Sequence, residues 1–386
     1  MNLLAFLLLF IPCWKKFSKT VVLVVGFLTL LILVQRTEIR PEIFSYLFTS
    51  IYLFFLFFKR NYRFFWILIL IQILWVNSHI YFFIGPALLF FYFLAGLLEK
   101  KAVGQRIFYF ILAGLACLIN PNFLKGALYP FFVLKNYGYQ IIENQSPFFM
   151  SHYTGQLYLP FFWLSFFILL LTIILNFQKH RLFPIFTAIF FITLTFKSIR
   201  SAPFFGLAFL PIGALNLEAM QKKFLQKSSS ELKTNASLLI LIILIAIISF
   251  SSYQMAKVKQ FGFGMETGAN KAVDFLLEKN ISGPIFNNFD IGGYLIYRLY
   301  PQYKVFVDNR PEAYPASFFQ NIYIPAQQDN QQWENLDQKY NFNIIFFSHT
   351  DITQWAQIFL KRISQDKNWE QIYFDKTAII FKRKVV

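Results

Sequence analysis

Arg40, His79, Lys197 and Arg200 each stand where an apolar run begins or ends. An arginine offers a planar fork of donors to phosphate oxygens, and a lysine offers a point charge. With Asn77, they suit the phosphate or diphosphate of a lipid-borne substrate. Glu143 is the only acid between residues 120 and 156. A carboxylate there can orient an acceptor hydroxyl or take its proton, and His79 joins it as the second catalytic candidate. Each residue also has a plainer role. Arg40 and Glu42 can anchor a helix at an interface or pair locally. His79, in Trp75-Val-Asn-Ser-His79, can be a hydrogen-bonding turn residue. Lys197 and Arg200 can be interface residues, and Glu143 a solvated one. No His-Glu-x-x-His metal pattern is present, nor a glycine-rich phosphate loop, nor a Gly-x-Ser-x-Gly elbow. Of cofactors, a divalent cation is the sole candidate.

The elements that must carry these residues are apolar helices. The chain holds 53 Phe and 20 Tyr among 386 residues, with a mean hydropathy of +0.50. Roughly 20 apolar residues cross a bilayer as a helix. Continuous apolar runs, unlike alternating barrel strands, satisfy their own backbone hydrogen bonds. Ten spans are expected, near 1–12, 20–35, 43–58, 64–78, 80–98, 104–119, 157–176, 183–197, 201–217 and 235–251. The expected fold class is therefore a polytopic α-helical membrane protein of about 10 transmembrane helices. A C-terminal extracytoplasmic α/β domain follows from residue 252.

Charge orients the segments. Up to residue 250 there are 21 Lys and Arg against 6 Asp and Glu, while from 252 the balance is 15 against 13. The excess falls in alternate connections: Lys15, Lys16 and Lys19; Lys59, Arg60 and Arg63; Lys100, Lys101 and Arg106; Lys179 and Arg181; and Lys222, Lys223, Lys227 and Lys233. The positive-inside rule puts these in the cytoplasm. The stretches 36–42, 77–79, 120–156, 197–200 and the tail then face outward, as does the N-terminus. The net charge of +17 thus reports topology. Nucleic acid is not an expected partner, because no basic groove with interleaved stacking aromatics is visible. Cys13 and Cys117 suggest neither a disulfide framework nor a metal site.

In the tail, 270–278 reads as a helix and 283–287 as a strand. Residues 294–299 read as a short helix or a second extended run. Lys304-Val-Phe-Val-Asp308 reads as a buried strand, 342–347 as another and 352–361 as a helix. Segments 369–374 and 377–382 form a hairpin around Asp375-Lys376. Asp308 and Arg310 then sit at a strand end, where they can bind a sugar or simply form a salt bridge. Asn287–Tyr294 is a second place that stands out, with two glycines after an acid, and the plainer role of Gly292 and Gly293 is to admit close packing of a helix start.

Several local patterns carry a resemblance. They are Arg40-Pro-Glu-Ile-Phe-Ser-Tyr46, Trp75-Val-Asn-Ser-His79 with Gly85, Asn120-Pro-Asn122, Ile142-Glu-Asn-Gln-Ser-Pro147, Ile199-Arg-Ser-Ala-Pro203, Asn287–Tyr294 and Lys304–Arg310. In order and approximate spacing the chain resembles bacterial membrane proteins of the GT-C glycosyltransferase-like class, from about residue 20 onward. The resemblance implies transfer of a sugar from a polyprenyl-phosphate donor to an envelope glycan or protein acceptor. It implies the outer face of the bacterial cytoplasmic membrane, and lipid as surroundings. In that class the base lies in an external loop after the first span. This chain lacks such a loop and resembles a fuller member from its fourth helix, which implies an incomplete or inactive form. The alternative is a non-catalytic envelope assembly protein whose tail binds a partner or glycan.

Overall fold

The computed structural model describes residues 1–34, 40–59, 61–132, 138–139, 144–151, 158–176, 182–225, 269–351 and 353–384. Glu143, Arg36, Glu38, His152 and the tenth expected span, 235–251, lie outside the described residues. The chain divides into two compact units: Met1–Leu134 with Ile141–Phe261, and Lys135–Gln140 with Gly262–Val386. The boundary expected at 251/252 lies outside the described residues. A short piece of the 120–156 connection also joins the second unit.

The first unit is helical. Its helices are α1 (Asn2–Lys16), α2 (Lys19–Leu33), α3 (Glu42–Phe58), α4 (Trp66–Val76), α5 (Ile84–Leu98), α6 (Val103–Ala116), α7 (Phe123–Phe132), α8 (Pro147–Met150), α9 (Leu159–Leu175), α10 (Leu182–Lys197) and α11 (Ala202–Leu225). They lie where the apolar runs lie. Among the described residues two continuous helical stretches, Ile80–Leu98 and Ile199–Lys223, are long and apolar enough to cross a membrane by themselves, at 19 and 25 residues. The other apolar helices run 10–17 residues, and 17 residues rise only about 25 Å. Tight turns such as Tyr62–Phe64 take up residues that the apolar pattern assigns to helix.

Helix α11 is the centre of this unit. Its residues from Ala202 to Ala214 are all buried, and it packs against α1, α2, α3, α9 and α10. The approach to α2 is close at Gly206, where Thr29 Oγ1 donates to the Gly206 carbonyl at 3.1 Å. A buried amide joins α3, α4 and the turn Ile80–Phe83 before α5. Tyr52 Oη donates to Gln72 Oε1 at 2.9 Å, and Gln72 Nε2 donates to the Phe82 carbonyl at 3.0 Å. A Cβ on Gly85 would stand 2.1 Å from Gln72 Oε1, so glycine is what lets the amide in.

The second unit is a four-stranded mixed sheet with helices. Strands β1 (Ile285–Asn287), β2 (Ile344–Ser348), β3 (Trp369–Phe374) and β4 (Ala378–Arg383) lie in the order β1-β2-β4-β3. The β1–β2 pair is parallel and the others antiparallel. The hairpin turns on Asp375, whose Oδ1 accepts from the Thr377 and Ala378 N–H groups, each at 2.8 Å. Helices form at Asn270–Glu278, Gly292–Leu299 and Gln354–Ile363, as the pattern suggests. Helix Asn330–Tyr340 was not read from the sequence because it is mostly polar. Its signal is the Asp329 cap, accepting from Gln332 N at 2.9 Å, with Trp333 and Leu336 on the buried face.

The expected strand at 304–308 does not form. Only Val305 bridges β1, at Ile285. The reason is Asn287, whose Oδ1 accepts from Phe306 N at 2.9 Å while its Nδ2 donates to the Val307 carbonyl at 2.7 Å. A buried side chain has taken the place of a ladder. Tyr139 also belongs to this core, its ring 4.2 Å from Phe289 and 5.2 Å from Phe319. Gly138 precedes it at φ +77°, and a Cβ there would meet the Ala316 carbonyl at 2.4 Å.

Candidate functional site

Three connections of the helical unit bring polar groups to one place. Helix α3 begins at Glu42, only 2% exposed. Arg200, in the turn Ile199–Ser201 before α11, donates from Nε to Glu42 Oε2 at 2.7 Å. Tyr46, one turn into α3, donates to Glu42 Oε1 at 3.3 Å. Taking a carboxylate out of water is costly unless it is paired and hydrogen-bonded, and Glu42 is both.

His79 enters from the connection between α4 and α5. Its Nδ1 lies 2.9 Å from Ser45 Oγ, and Ser45 Oγ accepts from Trp75 Nε1 at 2.7 Å. The indole N–H can only donate, so it takes one lone pair of Ser45 Oγ. In the tautomer whose Nδ1 accepts the serine proton, His79 Nε2 carries the ring proton and is a donor. Burial pushes the imidazole down to about 4, and the Arg200 charge adds to the shift. At neutral pH His79 is uncharged.

Aromatic rings hold the cluster. Tyr46 and Tyr81 each lie 4.8 Å from Phe204. Tyr81 Oη is 3.2 Å from Ser201 Oγ, and His79 packs 5.3 Å from Tyr81. The backbone N–H of Ile199 donates to the Gln145 carbonyl at 2.8 Å. Residues 145–147 therefore join the Arg200 turn.

The sequence candidates divide. His79 and Arg200 meet, with Glu42 and Ser45 as the partners that sequence reasoning did not assign to them. The spacing of Arg40-Pro-Glu-Ile-Phe-Ser-Tyr46 held that signal, since Glu42, Ser45 and Tyr46 fall on about one turn of helix. Arg40 lies just before Glu42, and its carbonyl accepts from Ile43 N at 3.1 Å. Asn77 turns to structural work. Its Nδ2 donates to the Ile73 and Ile119 carbonyls, each at 2.8 Å. Lys197 is exposed at the end of α10. Asn120 caps its own turn, accepting from Asn122 N at 2.8 Å.

Asp308 and Arg310 lie in the second unit and bond to each other. Arg310 Nη2 reaches Asp308 Oδ2 at 2.6 Å and Nε reaches Oδ1 at 3.0 Å. The Arg310 guanidinium holds the Asp308 carboxyl below its usual range. They lie in an irregular segment, since the expected strand is absent. A Cβ on Gly292 would fall 2.0 Å from the Val307 carbonyl, so that glycine serves close packing against this segment. Among the described residues, no three His, Cys, Asp or Glu side chains gather as a metal-binding group. Cys13 and Cys117 are free and buried.

No protein-family model matches the chain, and no curated protein matches it.

Proposed function

We propose that the chain is a polytopic membrane protein of the GT-C glycosyltransferase-like kind, acting on a polyprenyl-phosphate-linked sugar at the end of the helical unit where α3 and α11 begin. The observation that carries this reading is the convergence of Arg200, Glu42, Ser45 and His79 from three separate connections. Three of the patterns behind the resemblance meet there. Outward faces of the helices support the membrane reading, with Leu74, Ile111, Phe167, Leu171, Ile174 and Ile189 all more than half exposed or nearly so. The described basic residues Lys16, Lys59, Lys101 and Arg106 line a cavity where α3 and α5 end. That agrees with one cytoplasmic end and one outward end.

In this proposal Arg200 and the Nε2–H of neutral His79 contact phosphate oxygens of the donor. They would stabilise the charge that builds on the phosphate as the sugar leaves. The acceptor's base is Glu143. The acceptor is an envelope glycan or protein. The test is donor binding and sugar transfer in membranes holding the product made from the native locus. Arg200→Lys and His79→Phe should each weaken donor binding by about tenfold or more, the loss expected for a hydrogen bond to a charged group. Undiminished binding in both variants contradicts the proposal. The mutual neutralisation of Arg200 and Glu42 favours the second reading, a non-catalytic envelope assembly protein. Retention of an envelope partner by the full chain, without donor binding, would select it.

A further inference from the structure

A cavity of about 620 Å³ opens at the other end of the same helices. Its wall comes from the ends of α1, α3 and α5, the start of α10 and the later turns of α11. Among the described residues four cations line it, Lys16, Lys59, Lys101 and Arg106, against the single carboxylate Glu99. That carboxylate is already engaged, by Lys101 at 3.1 Å and by the Leu182 N–H at 2.8 Å. Arg106 is held in place, stacked 3.9 Å over Tyr92 and donating to its carbonyl at 2.8 Å. The cavity therefore has an excess of positive charge that its own acid does not cancel.

A second observation points to a ligand. Asn216 on α11 is fully buried in the cavity wall. Neither its Nδ2 nor its Oδ1 has a hydrogen-bond partner among the described residues. A buried amide without partners costs on the order of 1–3 kcal/mol. An orphan amide in the wall of a cationic cavity is suited to a ligand bearing both acceptor and donor oxygens. Leu56, Phe57 and Phe183 give the cavity an apolar side.

We infer that this cavity binds a phosphate-bearing headgroup carrying a hydroxyl, with phosphate oxygens at the cations and Asn216 bonding the headgroup. The lipid as its source rests on the membrane reading above; the phosphate chemistry does not. This site is separate from the Arg200 cluster, so its failure and the failure of the proposed activity are distinguishable.

The experiment uses the full chain in a neutral maltoside detergent, with native mass spectrometry as readout. The probes are phosphatidylglycerol, a diacylglycerol lacking phosphate, and inorganic phosphate as competitor. Phosphatidylglycerol should bind and diacylglycerol should not. Asn216→Leu should weaken phosphatidylglycerol by about tenfold, one hydrogen bond to a charged group. Lys59→Gln with Lys101→Gln should weaken it and flatten its salt dependence. Competition by inorganic phosphate at lower concentration than the lipid supports the phosphate site and assigns a soluble source. Equal binding of phosphatidylglycerol and diacylglycerol overturns the inference, as does binding of either phosphate probe that neither variant changes. Should Asn216→Leu fail to fold, the exposed lysine pair decides alone.

Discussion

Where α3 and α11 begin, Arg200 meets a buried Glu42, and Trp75, Ser45 and His79 complete a hydrogen-bonded chain under aromatic rings. Where α3 and α5 end, four cations and one acid among the described residues line a cavity, and the Asn216 side-chain amide has no partner among them. Seventeen residues of α3 separate the two, about 25 Å along its axis. The first end pairs its buried carboxylate internally and depends on that pair for its shape. The second gathers more cations than acids among the described residues, leaves the Asn216 side-chain amide without a partner among them, and keeps space beside it. Polar residues at the ends of apolar helices can therefore have opposite purposes, and partner accounting separates them where residue type does not.

The largest effect should come from breaking the closed end. Arg200→Ala removes the ion pair from buried Glu42, which should cost about 3–5 kcal/mol. Replacing both residues by Leu should recover most of that loss, because two apolar groups leave no charge stranded. Thermal unfolding of the four corners of this cycle in detergent measures the coupling. Additive losses would show that the pair is not what holds this end.

The next effect is a pH dependence. The His79 pKa is lowered in the fold from 6.5 to about 4. The unfolded chain therefore takes up the proton first as pH falls. The stability contributed by neutral His79 is complete above 6.5 and is lost as pH drops toward 4. Melting temperature should fall across that window, and His79→Gln should flatten the fall. An unchanged slope in the variant would assign it to other groups.

Trp75→Phe removes the N–H that Ser45 accepts and should cost about 1 kcal/mol. It also frees the serine hydroxyl from its fixed role, so donor binding should weaken with stability, by calorimetry and melting together. The smallest effect belongs to the open end. Lys59→Gln should change melting by less than about 0.5 kcal/mol, because an exposed lysine there holds nothing in place. A loss comparable with that of Arg200→Ala would erase the distinction between the two ends.

Much of this was legible in the sequence. Apolar runs located the helices, and the hairpin around Asp375 followed from strand patterning and turn chemistry. His79 and Arg200 were visible as ionisable groups beside apolar segments. Their partners were not, because Glu42 and Arg200 are far apart in the chain and only packing brings them together. Asn287 was opaque for the same reason. A strand-like run at 304–308 cannot reveal that a distant amide will bond its backbone. Tyr139 looked like part of a surface connection, yet it completes the aromatic core of the second unit. The cavity at the basic end left its trace in charge, and the pattern was read only as topology.

The most direct test is titration of the full chain, from its native locus, with a polyprenyl-phosphate-linked sugar, comparing Arg200→Lys with Asn216→Leu. The account predicts that Arg200→Lys weakens donor binding by about tenfold or more while Asn216→Leu leaves it unchanged. Loss in Asn216→Leu with full binding in Arg200→Lys would place the donor at the opposite end and contradict the account.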